Sequence, residues 1–461
     1  MFGCDDTAKS EFLNKRPGKG ALAGPGQSQS NLWFTSLDRP DRLGPALGRG
    51  SVWVDEPVKA GVASDPFLLA GFAKRAVFLS HDGEAATAFA LEIDALGDGQ
   101  WKPWRSLALK AGEASAWLEI PAAVAGAWIR VKADRDVAKA SATFQYAADD
   151  RRTTERSPLF DGLSKAGDAT SQGAFLLTRG ANLRTLAVLS AEVTPGKTTL
   201  GEAYELSADL KLTKMADQKG VDYFRRNTEI PQGIITADDA SVIFEESGVR
   251  WRLPRSASPA QDGLLARGAL RKVREVCTER DLLQAHGTFY ELPALNALGA
   301  IRLRPVATSG FAVHDYCSYR GLLILSGISP DAKDDPRIIR SEDGQAAVWA
   351  GAADELWGLG KPRGFGGPWL KTAVKAGAPS DPYLMTGYDR KTLRLRNDGT
   401  TSLGIQVEFD FTGDGTFTAG PSFNVAPGTE VTHAFEASFN AYWVRCVAHQ
   451  DGTASAQLEY K

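Results

Sequence analysis

Apolar and polar positions alternate in short bursts along most of the chain. Runs such as AVFLSHDG (Ala76 to Gly83), FALEIDALG (Phe89 to Gly97) and AWIRVKAD (Ala127 to Asp134) put every second residue on one face and end on Gly or Asp. A period of two, closed by turn residues, predicts half-buried β-strands. Strands recurring at this pace predict a small antiparallel sandwich.

The same rhythm is written twice. VKAGVASDPFLLAGF (Val58 to Phe72) returns as VKAGAPSDPYLMTGY (Val374 to Tyr388), with nine of fifteen positions identical at an offset of 316 residues. LEIDALGDGQW (Leu91 to Trp101) matches VEFDFTGDGTF (Val407 to Phe417) at the same offset. After a one-residue gap, AWIRVKADRD matches YWVRCVAHQD, which sets Trp128 against Trp443 and Arg130 against Arg445. Two homologous units follow, covering about residues 53–147 and 369–461. The Asp-x-x-Gly-Asp-Gly stretches from Asp94 and Asp410 lack the twelfth-position acid of an EF-hand and are expected to be hairpin turns.

Between the units the rhythm changes. SGVRWRLPR (Ser247 to Arg255) and HGTFYELPA (His286 to Ala294) share Gly-x-x-aromatic-x-Leu-Pro, and YRGLLILSG and GQAAVWAGAADELW continue the beat. A strand-turn-strand unit repeating in this way predicts propeller blades. Residues 31–37 are expected to pair with late strands and close the ring. GALRKVREVCTERDLLQA (Gly268 to Ala285) fits helix and strand periodicity alike, with strand the better fit to its surroundings. The expected fold is all-β: a propeller of about five blades, built from 1–52 and 150–368, with sandwich modules at 53–149 and 369–461 hung from its rim.

Composition narrows the functional classes. The 461 residues carry a net charge of −3 with Lys and Arg spread along the chain, which excludes the basic stripe of a nucleic-acid binder. No apolar run reaches the ~18 residues of a membrane span. Cys4, Cys277, Cys317 and Cys446 are far apart, so buried thiols are expected rather than zinc ligands or a disulfide framework. No motif calls for a cofactor or a metal, and none is expected. The N-terminus lacks a signal peptide's apolar core, which fits a cytoplasmic chain or an exported one whose leader has been trimmed. Nothing fixes the oligomeric state, a homo-oligomer included.

Chemistry is expected where blade strands end. Glu275, Asp315 and Asp354 come from three different blades and would converge over a channel as paired carboxylates, one protonated and one ionised, as glycosidic cleavage requires. His286 would assist. Arg280, Arg320, Tyr290 and Tyr316 would hold a sugar, and Trp357 would stack on it. The bland alternative makes His286 a turn residue and His314-Asp315 a hydrogen-bonded structural pair.

The run HGTFYELP, HDYCSYRGLLILSG and DELWGLGKPRGFGGPWLKTAVKAG resembles sequences of a group of bacterial proteins, and its general form is similar to the β-propeller carbohydrate-active proteins. That resemblance implies a glycoside hydrolase acting on an oligo- or polysaccharide. The runner-up is a polysaccharide lyase, with His or Tyr taking the C5 proton of a uronate, and the third reading is a non-catalytic glycan-binding or scaffold protein.

Overall fold

The computed structural model describes residues 2–4, 31–33, 36–38, 42–82, 85–110, 115–179, 185–194, 197–228, 230–231, 233–266, 270–277 and 280–461. Strand makes up 52% and helix 8%, so the class is all-β, with several sheets, none of them closed.

Alternation becomes burial in the repeated units. Thr87–Asp94 turns Phe89, Leu91 and Ile93 inward, and its counterpart Leu403–Asp410 does the same with Ile405, Val407 and Phe409. Each such side chain contributes about 1.5–3 kcal/mol when fully buried. The eight strands of the first unit are Leu47–Val58, Phe67–Leu68, Lys74–His81, Thr87–Asp94, Trp101–Leu109, Ser115–Glu119, Trp128–Ala133 and Val137–Ala147. They form two four-stranded sheets, ordered one-eight-three-six and two-seven-four-five, over one shared core. The second unit, from Gly364–Val374 to Gly452–Tyr460, repeats both orders strand for strand.

Details of the turns repeat as well. The Asp94 carboxylate accepts from the backbone N–H groups of Gly97 and Gly99, both at 2.8 Å, and Asp410 accepts from Gly413 and Gly415 at 2.7 and 2.9 Å. These loops are the expected hairpin turns, each closed by its own aspartate. Each first strand begins ahead of the tryptophan that opens the sequence identity, Trp53 or Trp369.

Four further antiparallel strand groups lie between the units, three as sheets of their own and one as part of a seven-stranded sheet with the second unit. The first runs from Ser171–Arg179 to Leu212–Lys214, with the helix Gln218–Arg226 packed on it through Val221 and Phe224. The second is Ile235–Ala237, Val242–Glu246 and Val249–Leu253. The third is Val273–Cys277, Arg280–Ala285, Thr288–Pro293 and Arg304–Thr308, so the ambiguous stretch forms two strands, Val273–Cys277 and Arg280–Ala285, among its described residues. Tyr316–Tyr319, Leu322–Leu325, Ala347–Gly351 and Ile338–Arg340 make the fourth. Three of the hairpins turn on two residues with positive φ: Ser247-Gly248, His286-Gly287 and Arg320-Gly321. This is the turn whose twist suits paired strands, and it explains the Gly in each motif.

The sheets meet in the order first, fourth, third, second. Gln172 bridges to Ile328, the Tyr316 hydroxyl donates to the Leu282 carbonyl at 2.8 Å, and the second and third sheets share a core with the C-terminal unit. One expectation changes here. Asn31–Trp33 pairs with Phe2–Cys4, not with a late strand; Ala347–Gly351 already has a partner on each side. The sandwiches also touch one another. Phe78 packs on Phe411 with ring centroids 4.3 Å apart, and Gln145 donates to the Phe411 carbonyl while accepting from the Asn440 N–H.

Candidate functional site

The three expected acids stand in three different settings. Asp315 is fully buried between the first, third and fourth sheets. Its carboxylate accepts from Arg271 at 3.1 Å, Arg274 at 3.3 Å, and the backbone N–H groups of Leu176 and Tyr316. With both oxygens engaged and no exposed surface, it ties sheets together and offers no face to a substrate. Arg274 points toward it from Val273–Cys277, so the next residue, Glu275, emerges on the opposite face of that strand and is exposed. Asp354 lies in the 3-10 segment Ala353–Leu359, beside Glu355, which accepts from the Ala352 N–H and from Arg337.

Glu275 instead faces Asp281 directly across the strand pair. Burial, and then the charge of Glu275, raise the Asp281 carboxyl above its usual range. Asp281 sits unremarked within the strand RDLLQA, and only its register marks it. Arg280 opens the same strand, and its side chain lies outside the described residues.

His286 occupies its hairpin turn, nearly fully buried. The Ser256 N–H donates to Nδ1 at 2.8 Å, and Nε2 bonds Asp262 at 2.9 Å. Burial, the dominant effect, lowers the imidazole pKa although Asp262 opposes it. Burial also works against ionisation of Asp262, but the bond from His286 and the charge of Arg255 outweigh it and hold that carboxyl below its usual range. The Ser256 hydroxyl lies 3.1 Å from Nδ1, which resembles a nucleophile and its base. The ring has one lone pair to give at Nδ1, however, and the shorter bond from the backbone N–H occupies it. The trio fastens the turn to the chain after Val249–Leu253.

The expected sugar-holding tyrosines are core residues. Tyr290 is fully buried, with its hydroxyl pushed up to about 12 by burial. Tyr316 is equally sealed and donates to the carbonyls of Lys272 and Leu282. Neither presents a face to a sugar. Arg320 is exposed at its turn, far along the sheet from the Asp315 end of the same hairpin. Trp357 is half-buried beneath Arg152, whose guanidinium carbon stands 4.9 Å from the ring centroid. Cys317 and Cys446 are buried thiols.

A cavity lies elsewhere, where the two sandwiches meet, lined by Lys74, Tyr388, Asp389, Lys391 and Asn440 among others. Its volume is about 20 Å³, which is room for one small guest and not for a sugar ring.

On the outer sheet of the first sandwich, Glu92 accepts from Arg130 at 2.7 Å and Lys132 at 2.8 Å, and Arg130 covers the Trp101 ring at 4.3 Å. Arg445, Glu408 and Phe417 repeat this arrangement in the second. Trp128, beside it, is 38% exposed, whereas its counterpart Trp443 is sealed.

No family model and no curated protein matches the chain. Among solved structures it is similar to the PBSX exported protein XepA, at 7% identity and a TM-score of 0.18, covering 90% of this chain and 86% of that one. It is also similar to a glycoside hydrolase family 32 protein from Bifidobacterium adolescentis, at 8% identity and 0.15, covering 88% and 99%. The STIV MCP follows at 9% and 0.13, covering 90% and 95%. At TM-scores this low, none of these likenesses carries an argument about the chain.

Proposed function

We propose that the protein is a non-catalytic scaffold that makes its contacts through two sister sandwich modules. In this reading the modules occupy about 53–149 and 369–461, and the sheets between them are blades of a propeller-like hub. One observation supports it: Asp315 is fully buried and spent on two arginines, while Glu275 is turned to the opposite face of its strand. A hub whose buried charges are consumed internally is suited to holding modules in place.

A second reading, glycoside hydrolysis, is favoured by the Glu275–Asp281 pair, in which one carboxyl is raised beside another. Glycosidases pair a protonated with an ionised carboxyl. Incubation with a glycan panel, followed by mass spectrometry of the products, separates the two. Intact glycans support the scaffold. Saturated fragments lost in Glu275→Gln would establish the hydrolase, and unsaturated fragments a lyase.

A further inference from the structure

The duplication lets one module serve as a template for the other. In the second module the edge strand Tyr383–Leu384 is not an edge: Val249–Leu253 lies parallel beside it, joining two sheets into one of seven strands. The Arg252 N–H donates to the Pro382 carbonyl at 2.9 Å, and its Nε donates to Asp381 at 2.8 Å. Arg250 stands 3.4 Å from the same carboxylate. Between them Trp251 packs on Trp443 with centroids 4.6 Å apart. The docked strand thus reads basic-aromatic-basic, its arginines on an aspartate and its indole on an indole.

Every receiving group has its counterpart in the first module: Asp65 for Asp381, Pro66 for Pro382, Leu68 for Leu384 and Trp128 for Trp443. The local geometry is the same, down to a serine hydroxyl donating to the aspartate's own carbonyl at 2.9 Å in both, Ser64 to Asp65 and Ser380 to Asp381. Among the described residues Phe67–Leu68 pairs with Trp128–Ala133 alone and ends its sheet. Asp65 is exposed, Leu68 is 47% and Trp128 38% exposed, whereas Leu384 and Trp443 are fully buried. An apolar edge left open in this way is a template for strand addition.

We infer that the open edge at Asp65–Leu68 and Trp128 docks an extended strand of a partner protein that carries an aromatic residue between two basic ones. Charge complementarity selects that partner, because Asp65 stands where Asp381 takes both Arg250 and Arg252. The inference extends the scaffold reading by naming the class of partner. The two fail separately, since glycan cleavage and strand binding are read by different assays.

The probe is a synthetic hairpin peptide of residues 241–255, titrated into the full-length protein by calorimetry. It is expected to bind with one-to-one stoichiometry. Asp65→Lys and Trp128→Ala, both at exposed positions, should each weaken binding about 10-fold or more, and Trp251→Ala in the peptide should do the same. Circular dichroism confirms that each variant is folded. Absence of binding up to millimolar peptide overturns the proposal, as does binding indifferent to Asp65→Lys. Binding of an oligosaccharide that is lost in Trp128→Ala, with the peptide failing to compete for it, also overturns it and assigns the face to glycan.

Discussion

Asp55 and Lys371, 316 residues apart, adopt the same left-handed backbone, with φ of 48° and 50°. Each sits just past the tryptophan of its module's first strand, where the pairing with the last strand slips register. Each donates its N–H to a serine hydroxyl of that last strand, Ser141 at 2.9 Å and Ser455 at 2.8 Å. A bulge kept in both copies although its residue type changed is set by the backbone rather than by the side chain.

That gives a first prediction. A β-branched residue fits the left-handed region worst, so Lys371→Val should lower stability by about 1–3 kcal/mol. Lys371→Gly should fall within about 1 kcal/mol of the parent, because relief of strain offsets the added freedom of the unfolded chain. Urea midpoints check both, and equal losses would contradict the assignment.

Asp315 is predicted to matter for stability rather than turnover. Removing it leaves Arg271 and Arg274 without their shared carboxylate between sheets, and breaking a buried pair costs about 3–5 kcal/mol. Asp315→Ala should therefore shift the unfolding midpoint strongly. A midpoint within error of the parent would contradict the buried network.

Lys391 is nearly fully buried beside the small cavity, and its ammonium donates to the Tyr388 carbonyl. Burial lowers its pKa to about 7, with Lys74 and Arg49 adding to the fall and Asp389 opposing it. The unfolded chain binds that proton up to about pH 10.4. Between the two values the unfolded state holds more protons, so this group makes stability rise with pH from about 7 toward 10. Lys391→Met should stabilise the protein at pH 7, and the gain should shrink by pH 10. Thermal melts across that range check the trend, and a pH-independent gain would contradict it.

The C-terminal module is predicted to be part of the hub's support. Val242, Leu253, Leu283 and Tyr290 from the middle sheets share one core with Tyr383, Leu393 and Tyr460. A chain ending at residue 363 should lose cooperative unfolding and expose the Trp251 face. A monodisperse truncated protein with a parental melting profile would contradict this.

Much of the fold is legible in the sequence. Period-two runs mark the strands, the repeated words mark two copies of one module, and His-Gly and Arg-Gly between apolar runs mark hairpins. The site is not. Alternation tells that Arg274 and Glu275 face opposite ways, but not that Asp315 waits on the side of Arg274, because that carboxylate comes from another sheet. Nor does anything local announce that Val249–Leu253 joins Tyr383–Leu384. A single parallel bridge between residues 131 apart leaves no periodicity of its own.

The asymmetric use of the two module edges is tested most directly by hydrogen exchange on the full-length protein, which reports local opening segment by segment. Peptides covering residues 66–69 and 382–385 provide the comparison. The account predicts that the two segments differ at one amide, with Leu68 exchanging fast and Leu384 protected, because the Leu69 and Met385 N–H groups are already bonded alike, to the carbonyls of Ala127 and Tyr442. Equal protection of the two segments would contradict it.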